Sequence, residues 1–235
     1  MTGPPAPDRP EVVTLPVLYE DDDLYAVDKP EGLPVIPERI ARGPCALEVA
    51  AAQAKTRLFV VHRLDRDTSG VLLFAKNAAA HRHLNGEFEH RRARKTYAAV
   101  AEGRMAATDG KITAAIRPFG SGRMGVDRRR GKPCLTHYRV TGFAGRCTEL
   151  LAHPVTGRRH QIRVHLYALG HPIVGDRRYG DPIVATSARH QADRLMLHAR
   201  SLSIRSVSAR VVRITSPVAR TFQEALDRLR AELRA

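Results

Sequence analysis

Cysteine is scarce in this 235-residue chain, and the three present, Cys45, Cys134 and Cys147, are odd in number, far apart and without a CxxC pair. That spacing excludes a disulfide framework and a zinc knuckle and points to a reducing compartment. No apolar run approaches the roughly 18 residues of a membrane-spanning helix, so no membrane association is expected. The opening "MTGPPAPDRP" lacks the charged-then-apolar pattern of a leader, and residues 1–15 read as a flexible Pro-rich tail that cannot pack. A cytoplasmic protein is the expectation. Lysine is rare as well, at six residues, yet 39 Lys and Arg face only 24 Asp and Glu, for a formal net charge of +15. An excess of that size makes a polyanion the first partner to weigh, nucleic acid ahead of others, although a GC-rich genome would enrich Arg and Ala without any such partner. Internal repeats and heptad or partner-helix patterns are missing too, which leaves a monomer with no obligate protein partner as the default.

The length allows one good-sized core, and residues 16–235 are expected to form it as a single domain. "VLYEDDDLYAVDKP" reads as two strands around an acidic turn, ended by Pro30. "CALEVAAAQAK" has helix composition, and "VLLFAK" is apolar on both alternating faces, as a strand covered on both sides is, with Gly70 marking the turn into it. "NAAAHRHLNGEFEHRRAR" reads as a helix capped by Asn77, with Leu84 and Phe88 four apart and a cationic tail, although Gly86 weakens it. "KTYAAVAEG", "CLTHYRVTGF" and "CTELLAHPV" follow one another without helices and so should pair antiparallel, with residues 119–131 as a mobile loop or hairpin tip. A helix over residues 160–169, with Ile162, Leu166 and Leu169 as its buried stripe, then strands over 195–204 and 210–215, precede a final helix. In that last helix Thr221 and Glu224 have capping-box spacing, and Phe222, Leu226, Leu229 and Leu233 line one face. The whole predicts an α+β fold, with a mixed, mostly antiparallel central sheet and helices packed on it.

One stretch asks a chemical question. "VVHRLDRDTSGVLLF" sets a carboxylate, Asp65, between Arg63 and Arg66, after an apolar run and before a polar turn. That position is the mouth of a buried strand, where a carboxylate is useful only if a cation holds it charged. Arg63 and Arg66 are near enough in sequence to do so. Arg163, about 100° round its helix from Ile162, is another candidate that could reach across. Taken singly, an Asp before a turn is more often a turn residue, and an Arg on a helix more often a solvated charge. Metal chemistry has little support: His81 and His83 lie in a polar helix, His160 and His165 are five apart, and HExxH is absent. Gly157, Gly170 and Gly175 read as turn glycines, because no GxGxxG or P-loop spacing surrounds them.

Taken together, the segments resemble one family. "LYAVDKPEGLPV", "HRLDRDTSGVLLFAK", "RKTYAAV", "TGRRHQIRVHLYALGHPIVGDRRYG" and "LMLHARSLSI" are similar, in order, to the successive blocks of RluA-type pseudouridine synthases, over about residues 17–214. Arg159 departs from the pattern, since such enzymes often carry a smaller polar residue there. The resemblance implies a pseudouridine synthase catalytic domain in the form without an N-terminal RNA-binding module. It also implies Asp65 as catalytic aspartate, Tyr97 as active-site tyrosine and Arg163 as the arginine that pairs with the aspartate. Isomerising uridine breaks the bond from ribose to ring nitrogen 1 and makes one to ring carbon 5. A carboxylate there can serve as nucleophile, base or electrostatic partner of the sugar, and the choice between attack on the base and chemistry at the ribose stays open. Tyr97 would pack on the uracil and help remove the proton from carbon 5. No cofactor or metal is implied, because no bond is oxidised or hydrolysed.

A stacked base must be flipped out to be reached, at a few kcal/mol, which backbone contacts must offset. Arg63, Arg66, Arg91, Arg92, Arg94, Lys95, Arg158, Arg159 and His160, with the run "RRRGK", are the candidate RNA contacts, and Arg63 is placed to fill the gap left by the flipped base. The expected partner is a stem-loop of ribosomal or transfer RNA, with residues 39–55 and 119–131 as the places where targets would be discriminated. Two other classes compete with this one: a catalytically silent RNA-binding or RNA-folding relative, and a hydrolase using Asp65 with Asp67 as a metal pair. Retention of Asp65, Tyr97 and Arg163 together disfavours the first, and the lack of a further carboxylate cluster disfavours the second.

Overall fold

A computed structural model describes residues 14–38, 43–120, 122–180 and 192–231. Most of the tail assigned to residues 1–15, part of the 39–55 segment and Leu233 lie outside them. The first hairpin pairs β1 (Val17–Glu20) with β2 (Leu24–Lys29). Its acidic turn is closed by Asp21, whose Oδ1 accepts the N–H groups of Asp23 and Leu24 at 2.9 and 2.7 Å. After α1 (Ala46–Ala54) and the short β3 (Phe59–Val60) comes β4 (Ser69–Ala75), every residue of which is buried. Its alternation explains that burial: Leu72 and Phe74 pack with Ala46 and Ala50 of α1, while Val71, Leu73 and Ala75 pack with Ala80 and Leu84. The second pair belongs to α2 (Ala78–Glu89), capped by Asn77, whose side chain accepts the Ala80 N–H at 2.9 Å.

The chain then runs through β5 (Arg94–Ala101), β6 (Asp109–Ile112), a separate hairpin of β7 (Ile116–Pro118) and β8 (Met124–Val126), β9 (Thr136–Ala144) and β10 (Cys147–Pro154). Helix α3 (Gln161–Ala168), β11 (Leu197–Arg205), β12 (Val211–Thr215) and α4 (Arg220–Ala231) follow. One large sheet has the order β1-β2-β4-β11-β5-β10-β9-β6, with β3 also on β4 and β12 on β11. All its pairings are antiparallel except the short β4–β11 contact, where His198 and Ala199 face Ser69 and Gly70. The fold is α+β, as the pattern predicts. That single parallel seam joins the two halves of the sheet, and the site forms beside it.

Three expectations need correction. Gly70 lies inside β4 rather than at a turn into it; with φ +108° it lets the Ala199 backbone approach so closely that a Cβ would run into it. Thr221 does not cap α4: the helix starts at Arg220, and the Thr221 hydroxyl instead donates to Glu31 Oε1 at 2.7 Å and accepts from Arg194 Nη1 at 2.8 Å. Glu224 pairs with Arg220 in place of the cap, while Phe222, Leu226 and Leu229 are buried as expected. Leu169 is 43% exposed, because it is the C-cap just past the last turn of α3; Ile162 and Leu166 carry the buried stripe with Val164. Residues 119–131 include the tip and second strand of the β7–β8 hairpin.

Candidate active site

Beside the seam opens a cleft of about 1830 Å³, lined by residues from the β3–β4 connection, β5, the start of α3 and the turn at Asp176. Asp65 comes from the first of these, Tyr97 from the strand and Arg163 from the helix, so three stretches remote in sequence meet there. The Asp65 side chain is 22% exposed, open to the cleft but not to bulk solvent on all sides. Its Oδ2 accepts from Arg163 Nη1 at 3.0 Å, and its Oδ1 lies 3.8 Å from His160 Nε2. The first turn of α3 is what aims Arg163 inward among buried neighbours.

Arg163 is itself buried, which alone would disfavour its charge, but Asp176 more than compensates. Nε donates to Asp176 Oδ2 at 2.7 Å and Nη2 to Oδ1 at 2.9 Å, a two-point clamp. Against the desolvation, these bonds and the charges of Asp176 and Asp65 hold the guanidinium above its ordinary pKa. The reciprocal effect holds Asp176 below the usual carboxylate range although burial pushes it up, and the Arg178 and Tyr179 N–H groups contribute. Charge compensation for Asp65 thus comes from Arg163. Arg66 turns away, its Nε donating to Gly32 O at 2.9 Å and its Nη1 facing Glu38 at 3.5 Å. Arg63 is exposed on the cleft wall.

Tyr97 is half-buried on β5, between Ala152 and Ala199 of the neighbouring strands. Burial, with the charge of Asp65 adding to it, pushes its phenol well above the ordinary value, so at neutral pH it offers an aromatic face and a protonated hydroxyl rather than a base. Lys95, two residues earlier, also lines the cleft; burial lowers its pKa to about 8, and it donates to Thr156 O at 3.4 Å. Arg158 and Arg159 are exposed at the rim. The side chain of His160 is turned inward towards Asp65 instead of out to a phosphate. Arg91 borders both this cleft and a second cavity of about 480 Å³; Arg92 and Arg94 line only the second, and Arg92 is paired with Glu87 at 2.6 Å. Among the described residues no group of three or more His, Cys, Asp or Glu is placed to hold a metal ion, which leaves an Asp65–Asp67 metal pair without further ligands there.

Two residues of the site escape sequence reasoning. Asp176 stands in the quoted "GHPIVGD" block, but nothing in its spacing shows that it clamps Arg163. Lys29 is wholly buried, and its Nζ donates to Pro30 O, Leu33 O and Arg66 O at 2.7, 2.8 and 2.8 Å. It ties the loop after β2 to the backbone next to Asp65. Burial pulls its pKa down to about 7, against the charges of Asp67, Asp65 and Glu31. A lysine closing a strand that opens with four largely apolar residues, as in "LYAVDKP", is the signal that could have found it.

A mixed sheet bearing an arginine-compensated aspartate, with a tyrosine across a basic cleft, defines a class that comparison identifies. The family model described as RNA pseudouridylate synthase matches residues 23–168. The dual-specificity RNA pseudouridine synthase RluA of Escherichia coli K12 is 37% identical over 202 residues, covering 83% of this chain and 89% of that protein. Ribosomal large subunit pseudouridine synthase C of Vibrio cholerae is 35% identical over 223 residues, covering 91% and 69%. The solved structure of human RNA pseudouridylate synthase domain containing 1 superposes with a TM-score of 0.76 at 30% identity, covering 97% of this chain and 98% of that one. The chain belongs to the RNA pseudouridylate synthase family, and its similarity to these relatives places it with the RluA type.

Proposed function

We propose that the protein isomerises specific uridines to pseudouridine in a stem-loop of ribosomal or transfer RNA, with Asp65 as the catalytic carboxylate. The observation that carries this reading is the contact at 3.0 Å between Asp65, open to the cleft, and an arginine fixed by a second, buried aspartate. The flipped nucleotide enters the cleft with its sugar-base bond against Asp65. The bond from C1′ to N1 breaks, the uracil turns, C1′ bonds to C5, the C5 proton leaves and N1 takes up a proton. Atoms and electrons balance without a co-reactant. Asp65 acts as a carboxylate whether it bonds to the base or to the sugar, and Arg163 keeps its position and offsets its charge. Tyr97 supplies a stacking face for the uracil.

Arg158, Arg159, Lys95 and Arg91 border the cleft and serve as the phosphate contacts, while Arg63, also on its wall, occupies the space left by the flipped base. Arg66 supports the loop wall, and Arg92 and Arg94 contact RNA only where it extends past Arg91. Residues 16–235 work as one catalytic domain, as a monomer in the cytoplasm. The reading is tested by incubating the protein with ribosomal and transfer RNA transcripts tritiated at C5 of uridine. Release of tritium with intact strands is expected. Strand cleavage, or binding without release from any of these RNAs, would overturn it.

A further inference from the structure

His160 has a backbone that its side chain must justify. Its φ of +55° is left-handed, a conformation that residues other than glycine adopt only against steric resistance, and it makes no side-chain cap to α3. Glycine or asparagine would fit that backbone better. What histidine adds is a ring anchored at one nitrogen and aimed at Asp65 by the other. Its Nδ1 lies 2.7 Å from the Tyr179 hydroxyl, and its Nε2 points at Asp65 Oδ1 from 3.8 Å. Tyr179 is buried, its ring edge-on to His160 and under the Arg163 guanidinium, and its backbone N–H donates to Asp176 at 3.0 Å. Its hydroxyl accepts the Met124 N–H of β8 at 2.9 Å.

We propose that Tyr179 and His160 are positioning residues for Asp65, the tyrosine hydroxyl fixing the imidazole so that its Nε2 hydrogen is directed at the carboxylate oxygen that Arg163 leaves free. The inference rests on the pseudouridine synthase reading and deepens it. Because the Tyr179 oxygen already accepts from Met124, its own proton is free to go to Nδ1, and the ring hydrogen then sits on Nε2. Burial keeps the Tyr179 phenol protonated, and it lowers His160 to about 4 despite the pull of Asp65, so both groups hold the required protons at neutral pH. At 3.8 Å the last hydrogen bond is not yet made, and it closes when the nucleotide fills the cleft. Arg163 holds one oxygen of Asp65 and His160 governs the other, which fixes the carboxylate against rotation. Through Met124 the same chain of contacts reaches the β7–β8 hairpin.

The test compares kcat and KM for tritium release by the wild type, Tyr179→Phe, His160→Asn and His160→Gln, with thermal melting of each. Asparagine suits the left-handed backbone but is too short to carry a donor to Asp65; glutamine suits it less well but carries an amide donor near the place of Nε2. We expect His160→Asn and Tyr179→Phe to lose about 10- to 100-fold in kcat with KM unchanged. His160→Gln should stay markedly nearer the wild type in kcat while melting no higher than His160→Asn. A His160→Asn protein with wild-type kcat, equal losses for Asn and Gln, or a fully active Tyr179→Phe would overturn the inference while the active wild type upholds the enzyme reading. An inactive wild type would remove both.

Discussion

At the scale of single residues, the site is a hierarchy of charges in which each is held by one more deeply buried. Asp176 has no exposed side-chain surface, Arg163 has almost none, and Asp65 is the most exposed of the three. Asp176→Asn leaves the buried Arg163 with only Asp65 to offset its charge, so it should destabilise the protein by about 3 kcal/mol, the low end for a broken buried pair, and lower kcat through the loosened Arg163. The sign with pH follows from the depressed carboxyl. The folded pKa of Asp176 lies below its unfolded value of about 3.9, so its stabilisation is complete above that pH and is lost as pH falls through the folded value. Denaturation curves should therefore show the gap between wild type and Asp176→Asn narrowing below about pH 4. A gap that widens on acidification would contradict the assignment. The sequence points to Asp65, Tyr97 and Arg163 through the resemblance of their blocks to one family, and the fold brings all three to one cleft. The sequence could not order the charges, because Asp176 reaches Arg163 only once α3 and the following turn have packed together.

At the scale of elements, the site depends on how closely β4 and β11 run. The main strands and helices are legible in the sequence because their periodicities are local: β4 is apolar on both faces and Asn77 caps α2. The two failures at Gly70 and Thr221 share a cause. Both residues look like local punctuation, a turn and a cap, but each is used for a contact from far along the chain, Ala199 in one case and Glu31 with Arg194 in the other. Gly70→Ala is correspondingly severe: the positive φ and the close Ala199 backbone both oppose a side chain, and we expect a loss of about 3 kcal/mol or more together with displacement of Asp65. Urea melts and the rate of tritium release check it. Unchanged stability would mean that the β4–β11 seam is looser than described.

At the scale of the whole molecule, the net charge of +15 supplies a long-range attraction that would concentrate RNA at the surface before any base is read. Composition announces that attraction but not its map. Of the arginines singled out by position in the sequence, Arg158 and Arg159 border the cleft that holds Asp65, while Arg92 and Arg94 face the other cavity. Replacing Arg158 and Arg159 together by alanine should weaken RNA binding for every sequence and lower the slope of log affinity against log salt by about 0.7–0.9 for each phosphate no longer neutralised. An unaltered slope would take those two side chains out of the phosphate path. No described helix is long and apolar enough to cross a membrane.

In the proposed reaction the carboxylate of Asp65, buttressed by Arg163, carries the chemistry. Single-turnover conversion of a C5-tritiated RNA by the wild type and by Asp65→Asn, with RNA affinity determined for both, isolates that role. Undiminished affinity and a fall in conversion of at least about a thousandfold are expected, since the amide keeps the shape but neither attacks nor carries charge. Conversion by Asp65→Asn within a few fold of the wild type would contradict it.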